Sequence, residues 1–186
     1  MTSSLLNLDQ QPTELNAIYT DNYYWYLTST PFKQHCLSVI GNIVNGLGFK
    51  CLDVACGEGW LSPFICTPYV GFDGSEVAIA KAKEAYPDRE FYVDRLEDPK
   101  VTGTFGTIVF GNIFAIIVKK THWLEFIEMY ITSFMPSYFV LYDLEELNTA
   151  VLDAAYTKCQ EHSIVLELEK IEEVKKHRKI ILYKID

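Results

Sequence analysis

The sequence predicts an α/β fold in which a mainly parallel β-sheet carries helices on both faces. Strand-like and helix-like segments alternate through most of the chain after Gly48, the pattern of parallel strands joined by crossover helices. The last two strand-like runs follow each other without a helix between them, so we expect them to pair antiparallel. Helix-like segments precede the first strand and predict an N-terminal helical region.

The helix ahead of the first strand has clear start and stop signals. Thr30 and Pro31 supply a hydroxyl cap and a proline at the first helical position. The segment Asn45-Gly46-Leu47-Gly48 ends this helix, because glycine tolerates the left-handed backbone at a helix C-terminus. An earlier helix is predicted over residues 14–27. The predicted strands are residues 50–54, 69–73, 90–93, 107–111, 138–142, 164–169 and 179–184, and the predicted helices between them are residues 60–66, 75–85, 122–134 and 144–161.

Length and charge restrict the class of protein. The 186 residues suit one domain with a short N-terminal appendage, and the net charge of −9 disfavours broad binding to nucleic-acid backbones. The basic run at residues 175–179 is expected to be a solvated turn between the last two strands. No apolar run is long enough to span a membrane, and residues 1–10 lack the pattern of a signal peptide.

The five cysteines are odd in number and scattered, which disfavours a disulfide framework. No Cys-x-x-Cys pair occurs and no metal-ligand spacing stands out, so no metal site is predicted. We expect reduced thiols in a cytoplasmic protein.

The segment Ala55-Cys56-Gly57-Glu58-Gly59 connects the first strand to the next predicted helix. Its small residues let a ligand approach the backbone closely, and amides at a helix start can point at that ligand. A dinucleotide site needs a third glycine, but Trp60-Leu61-Ser62 follows, which disfavours a nicotinamide-dependent enzyme. The Gly-Lys-Ser/Thr of a phosphate-binding P-loop is also absent. An acid, Asp53, lies four residues before Gly57.

Acidic residues also follow the next two strands. Asp73 ends the second strand ahead of Gly74 and Ser75, where a carboxylate can accept hydrogen bonds from two vicinal ribose hydroxyls. The alternative is that Asp73 caps the next helix, although Ser75 is available as a cap. Asp94 follows the third strand, either as a ligand-binding acid or as a solvent-facing turn residue.

Taken in order, these segments and the fourth strand, which ends in Gly111 and Asn112, resemble the motifs of class I S-adenosylmethionine-dependent methyltransferases. The resemblance covers the chain from Gly48 to its end. It implies a Rossmann-like three-layer sandwich with a seven-stranded, mostly parallel sheet in the order 3-2-1-4-5-7-6, one strand being antiparallel, with N-terminal helices. It also implies an N-terminal lid or appendage over residues 1–47 and a cofactor-binding methyltransferase domain over residues 48–186.

The resemblance further implies that S-adenosylmethionine is the cofactor and S-adenosylhomocysteine the product. Asp94 then receives the adenine amino group. The cofactor-binding residues that it implies are Asp53, Ala55, Gly57, Gly59, Trp60, Asp73, Gly74, Asp94, Arg95, Leu96, Gly111 and Asn112.

Two departures from the family pattern bear on catalysis and substrate. Gly106 stands where an aspartate commonly follows the leading phenylalanine of the fourth strand. The segment Asn112-Ile113-Phe114-Ala115 differs from the Asn/Asp-Pro-Pro-Tyr element of enzymes that methylate amino groups of nucleic acids. The second departure weighs against a DNA base as acceptor. Both motivate an alternative, a catalytically inactive or regulatory protein of the same fold that binds S-adenosylmethionine or S-adenosylhomocysteine.

Aromatic residues crowd the N-terminal segment, among them Tyr19, Tyr23 and Trp25. They are either core packing or a lid that covers the cofactor and shapes an acceptor pocket, because ring faces suit a sulfonium cation. The segment from Asp21 to Trp25 weakly resembles the lid region of nodulation-type small-molecule N-methyltransferases.

The predicted reaction is in-line methyl transfer to a small-molecule acceptor. A catalytic base is optional in such a transfer. His122 is a candidate that could equally pack at the start of its helix, so no catalytic residue is assigned.

Overall fold

The computed structural model describes residue 16 and residues 31–111, 121–144, 166–175 and 178–185. Within them, the α-helices are α1 (Pro31–Leu47), α2 (Glu76–Ala85) and α3 (Thr121–Phe134). A 3₁₀ turn spans Ser62–Phe64. The strands are β1 (Cys51–Val54), β2 (Tyr69–Asp73), β3 (Glu90–Val93), β4 (Thr107–Gly111), β5 (Tyr138–Leu144), β6 (Leu166–Lys175) and β7 (Arg178–Ile185).

The strands form a seven-stranded sheet in the order β3-β2-β1-β4-β5-β7-β6. Strands β1, β2 and β3 pair in parallel, as do β4 and β5. Strand β7 is antiparallel to both of its neighbours, β5 and β6. The predicted fold class is therefore confirmed, including the strand order and the reversed strand near the end of the chain.

By compactness the described residues form two units, one with residue 16 and residues 31–102 and the other within Gly103–Asp186. In the first unit, every residue of β1 and β2 is buried, as expected for parallel strands covered on both faces. Helix α1 buries residues at helical spacing, including Cys36, Ile40 and Val44. It ends as predicted: Gly48 has a φ of 75°, and its amide donates to the carbonyl oxygen of Val44 at 3.3 Å.

The second unit is held together by aromatic rings. The ring of Phe110 on β4 stacks on that of Phe139 on β5, with centroids 5.4 Å apart. The same ring meets Tyr130 of α3 edge-on at 5.2 Å. Such offset and edge-on pairs stabilise a core beyond the area that they bury. The rich aromatic composition is thus used here for packing between α3 and the strands.

Several predicted elements differ from the structure. The helix predicted over residues 60–66 is only the 3₁₀ turn Ser62–Phe64, where Pro63 removes one backbone donor and Pro68 follows shortly after. Strand β6 extends beyond its predicted end to Lys175, which pairs with Arg178 of β7. Three residues of the basic run, Lys175, Arg178 and Lys179, therefore lie in strands and not in a turn, and residues 176–177 lie outside the described residues.

The predicted helix start at Leu144 is wrong, because Leu144 ends β5. Other predictions are not tested, since the remainder of that helix lies outside the described residues. The same holds for the helix predicted over residues 14–27, except for Asn16, which is helical. The domain boundary at residue 47 stays a prediction. No described helix combines the length and apolarity needed to cross a bilayer.

Candidate functional site

The chain leaves β1 through a tight turn with left-handed backbone. Ala55, Gly57 and Gly59 have φ values of 57°, 56° and 75°. Glycine adopts this conformation readily, whereas for alanine it costs roughly 1–2 kcal/mol. Backbone strain that the surroundings maintain is typical of binding and catalytic sites. The amide of Cys56 donates to the carbonyl oxygen of Phe72 at 2.9 Å and so ties the turn to β2.

Gly59 is required for packing. A Cβ atom at this position would lie 2.7 Å from Cζ of Phe91 on β3 and 3.3 Å from the Cβ of Ala82 on α2. The absence of a side chain therefore lets the turn lie directly on β3 and α2. The structure thus shows a packing role for Gly59, and its predicted contact with a cofactor stays a prediction.

Asp73, at the end of β2, holds two turns together. Its Oδ2 accepts a hydrogen bond from the amide of Gly57 at 3.0 Å, and its Oδ1 accepts one from the amide of Ser75 at 2.9 Å. The residue is only 5% exposed. Bonds from backbone amides to an ionised carboxylate are stronger than neutral ones, so they fix the orientation of this carboxylate.

The cap of α2 is Ser75, whose Oγ accepts from the amide of Ala78 at 3.1 Å. Asp73 is therefore not the cap of α2, which was the other role open to it from the sequence. The carboxylate of Asp73 instead bonds the amide of the cap residue itself.

Asp53 is a second buried carboxylate beside the turn. Its Oδ2 accepts a hydrogen bond from the hydroxyl of Tyr69 at 2.7 Å. Burial raises the pKa of Asp53 to about 7; the charge of Asp73 acts in the same direction, and the bond from Tyr69 opposes them. Burial and the neighbouring Asp53 also raise the pKa of Tyr69, which keeps its hydroxyl a donor.

Gly71 makes room for this pair. It lies opposite Asp53 in the β1–β2 register. A Cβ atom there would lie 2.9 Å from both the Oη of Tyr69 and the Sγ of Cys56. The Cys56 thiol has a raised pKa, first because of burial and then because of the charges of Asp53 and Asp73. A neutral thiol therefore fills the space beside the two carboxylates.

Asp94 organises the loop that follows β3. Its Oδ1 accepts from the amide of Arg95 at 2.8 Å, and its Oδ2 accepts from the amides of Lys100 and Val101, both at 2.7 Å. Its own amide donates to the carbonyl oxygen of Asp73 at 3.0 Å. The carboxylate thus closes a loop of eight residues, a role that the strand-end position alone did not reveal.

Glu58 belongs to the same turn, but it was not among the predicted site residues. It is 7% exposed although it is an acid, and its Oε1 lies 2.8 Å from the Nζ of Lys81 on α2. A buried acid needs such a partner. The acid between two glycines was visible in the sequence, but its partner lies 23 residues away and has no local signal.

The assignment of the predicted site residues to a cofactor stays a prediction, and the structure shows where some of them lie. It brings Asp53, Gly57 and Asp73 together around the turn. Trp60 is half-buried, and the Nζ of Lys33 lies 4.6 Å from the centre of its ring. Gly74 and Leu96 are half-buried in the same unit, and the Arg95 side chain is exposed and paired with Glu97.

The remaining predicted site residues lie in the other unit or outside the described residues. Gly111 ends β4 in the other unit, and a Cβ atom there would meet nothing within 4 Å. The residues Asn112, Tyr19, Tyr23 and Trp25, and the side chain of His122, lie outside the described part of the chain. In the part that is described, no three His, Cys, Asp or Glu residues converge as metal ligands would.

Comparison with known proteins shows which fold this is. No protein-family model and no curated protein matches the chain. Among solved structures, it is similar to magnesium protoporphyrin IX methyltransferase (ChlM) from Synechocystis PCC 6803 with bound SAM, at a TM-score of 0.72 and 11% identity over 93% of this chain and 96% of that one. It is also similar to the N-methyltransferase NodS from Bradyrhizobium japonicum WM9 in complex with S-adenosyl-L-homocysteine, at a TM-score of 0.71 and 12% identity over 92% and 96%.

A third similar structure is a DhpI-SAM-HEP complex, with a TM-score of 0.70 and 14% identity over 99% of this chain and 100% of that one. The chain therefore has the fold of S-adenosylmethionine-dependent methyltransferases over nearly its whole length. At these identities the likeness is one of fold.

Proposed function

We propose that the chain binds S-adenosylmethionine at the carboxyl ends of β1, β2 and β3 and transfers its methyl group to a small-molecule acceptor. One observation carries the proposal: two buried carboxylates, Asp53 and Asp73, flank the glycine turn, and the Gly57 amide donates to one of them.

The charge around the turn excludes a phosphate more strongly than the missing third glycine does. In dinucleotide and P-loop sites, the amides of the turn face the phosphates. Here the amide of Gly57 donates to Asp73, and Asp53 lies near the end of β1, beside the turn. A diphosphate would meet negative charge in a poorly solvated place. A ligand with positive charge and with hydroxyl groups is favoured instead.

S-adenosylmethionine meets both requirements, because it carries a sulfonium, an ammonium and two vicinal ribose hydroxyls. We assign the ribose to Asp73, whose carboxylate is already oriented by two backbone amides. We assign the methionine portion to the end of β1 at Asp53 and the turn that follows it to Gly59, and the adenine to the loop that Asp94 closes. The complexes of ChlM with SAM and of NodS with S-adenosyl-L-homocysteine support this choice of cofactor.

The cofactor supplies an activated methyl group with a neutral leaving group. The protein then contributes by binding the cofactor and the acceptor, aligning them and excluding water. Holding two reactants in line is worth on the order of 7–11 kcal/mol in well-aligned systems. No residue is assigned as a base, because alignment alone carries the proposed mechanism.

A small-molecule acceptor is favoured by the charge and by the relatives. The net charge of −9 disfavours a polyanionic acceptor. One similar structure is a magnesium protoporphyrin IX methyltransferase and another is an N-methyltransferase. Both are covered over 96% of their length, so neither contains a large additional domain relative to this chain.

The departure at Gly106 does not favour the inactive alternative. Gly106 precedes β4, and its carbonyl oxygen accepts from the amides of Ser137 and Tyr138, both at 3.0 Å. It therefore lies at the strand end opposite to Gly111, roughly 16 Å away at about 3.3 Å per residue. Ligands of open α/β sheets bind at the carboxyl ends of the strands.

Calorimetry with S-adenosylhomocysteine tests the binding. We expect saturable binding, no binding of NAD, and a loss of about 1–3 kcal/mol for Asp73→Ala, the scale of hydrogen bonds to a charged group. Asp88→Asn is the control, because Asp88 is an exposed acid in the turn before β3, at the end of that strand opposite to Asp94. A folded protein that binds neither the cofactor nor its product would refute the proposal. Transfer of labelled methyl to a panel of metabolites then separates an enzyme from a binding protein.

A further inference from the structure

Asn16 contacts the proposed ribose turn although it lies far away in the sequence. Its Oδ1 accepts a hydrogen bond from the hydroxyl of Ser75 at 2.8 Å, across 59 residues. The same oxygen lies 3.4 Å from the amide nitrogen of Val77. Nothing in the local pattern around Asn16 predicted this contact.

The contact completes the N-terminus of α2. The first amides of a helix have no partner within the helix and need acceptors from outside. The Oγ of Ser75 accepts from the amide of Ala78, and Asn16 accepts from that of Val77. Because the Ser75 hydroxyl donates a hydrogen bond to Asn16, the lone pairs of the Ser75 oxygen are directed towards the helix. Asn16 therefore fixes the rotation of the cap as well as satisfying an amide.

The same cap continues to the buried carboxylate. The amide of Ser75 donates to Oδ1 of Asp73, and Oδ2 of Asp73 accepts from the amide of Gly57. A continuous path of hydrogen bonds therefore leads from Asn16 through Ser75 and Asp73 to the glycine turn. Each of these bonds connects residues of the same compact unit.

We propose that Asn16 is a positioning residue for S-adenosylmethionine binding: it holds the Ser75 cap and thereby the orientation of the Asp73 carboxylate. This inference rests on the proposed function, since it assumes that Asp73 receives the ribose. Without Asn16, the Ser75 hydroxyl can rotate and the turn from Asp73 to Ser75 has more conformations. Binding must then order the turn, and this cost lowers affinity.

The test compares variants by their affinity for S-adenosylhomocysteine in calorimetry. Asn16→Ala removes the acceptor, and we expect affinity to fall about 2- to 12-fold, the range for one hydrogen bond. Asn16→Asp keeps acceptor oxygens and places negative charge at a helix N-terminus, where it is favourable. We expect its affinity to stay within about twofold of the wild type.

Asn45→Ala is the matched control for loss of structure. Asn45 also makes tertiary hydrogen bonds, donating to the carbonyl oxygen of Phe64 at 2.9 Å and accepting from the amide of Cys66 at 2.7 Å. These bonds lie away from the Asp73 turn in the hydrogen-bond network. We expect Asn45→Ala to lower the unfolding temperature and to leave the affinity for S-adenosylhomocysteine unchanged.

A double-variant cycle with Ser75→Ala tests the path itself. If Asn16 acts through the Ser75 hydroxyl, Asn16→Ala changes affinity less in the Ser75→Ala background than in the wild type. If Asn16→Ala does not fold, Asn16→Gln replaces it; its longer side chain displaces the oxygen, so it should bind more weakly than Asn16→Asp.

Three outcomes overturn the inference about Asn16 while leaving the proposed function intact: wild-type affinity for Asn16→Ala, equal losses for Asn16→Asp and Asn16→Ala, or full additivity with Ser75→Ala. By contrast, a folded wild-type protein that does not bind S-adenosylhomocysteine or the cofactor refutes the proposed function, and the inference with it.

Discussion

Replacing Gly59 with alanine should strain the turn that defines the site. Gly59 has a φ of 75°, and a Cβ atom would lie 2.7 Å from Cζ and 2.8 Å from Cε1 of Phe91. It would also lie 3.3 Å from the Cβ of Ala82. Phe91 is buried, and its ring packs edge-on against Tyr69 with centroids 5.8 Å apart, so the ring has little room to retreat.

Two contributions set the size of the effect of Gly59→Ala. The left-handed conformation costs alanine roughly 1–2 kcal/mol. Overpacking of a well-filled interior adds about 1–3 kcal/mol, because neighbours must leave their preferred rotamers. We therefore expect Gly59→Ala to lower the free energy of unfolding by about 2–5 kcal/mol, a large share of the usual 5–15 kcal/mol of a domain.

Urea denaturation followed by circular dichroism measures this loss. Gly46→Ala is the control, because Gly46 is exposed on α1 and a Cβ atom there meets nothing within 4 Å. That change should stabilise the protein by about 0.5–1 kcal/mol. Adding Phe91→Leu to Gly59→Ala should ease the steric overlap without relieving the cost of the left-handed backbone. A Gly59→Ala protein within about 0.5 kcal/mol of the wild type would refute this account of the turn.

The pKa of Asp53 is about 7 in the folded chain and 3.8 ordinarily. Between these values the folded chain keeps the proton of Asp53 while the unfolded chain gives it up. The free energy of unfolding therefore falls as the pH rises through this range, and the stabilisation by the protonated Asp53 is lost once the pH passes 7. Relative to Asp53→Asn, the wild type should therefore lose up to about 1.4 kcal/mol per pH unit in this window, measured by urea denaturation at several pH values; parallel curves would contradict it. Met135 follows α3, is 82% exposed and has a left-handed φ of 45°. Because glycine adopts this backbone conformation without strain, Met135→Gly should raise the free energy of unfolding by about 0.5–1 kcal/mol. A lower melting temperature for this variant would contradict strain at Met135. Gly71→Ala should push the Tyr69 hydroxyl away from Asp53 and cost about 1–3 kcal/mol, whereas an unchanged denaturation midpoint would mean that the space is not needed.

The sequence by itself determined the features that depend on neighbouring residues. The alternation of strands and helices, the end of α1 at Gly48 and the cap of α2 at Ser75 follow from periodicity and from local capping chemistry. The same is true of the acids at the ends of β1 and β2, because a strand end and its acid are adjacent in the chain. These signals sufficed for the fold class and for the position of the proposed cofactor site.

Only the tertiary structure decided what each acid holds. Asp73 binds an amide 16 residues away, Asp94 turns back onto its own loop, and Asn16 reaches Ser75 across 59 residues. Gly59 is needed because of Phe91 on another strand. Such partners depend on strand register and on the space between elements, which have no periodic signal in the sequence. For that reason the chain predicts where the site lies, while the packing of the folded chain sets the orientation of its carboxylates.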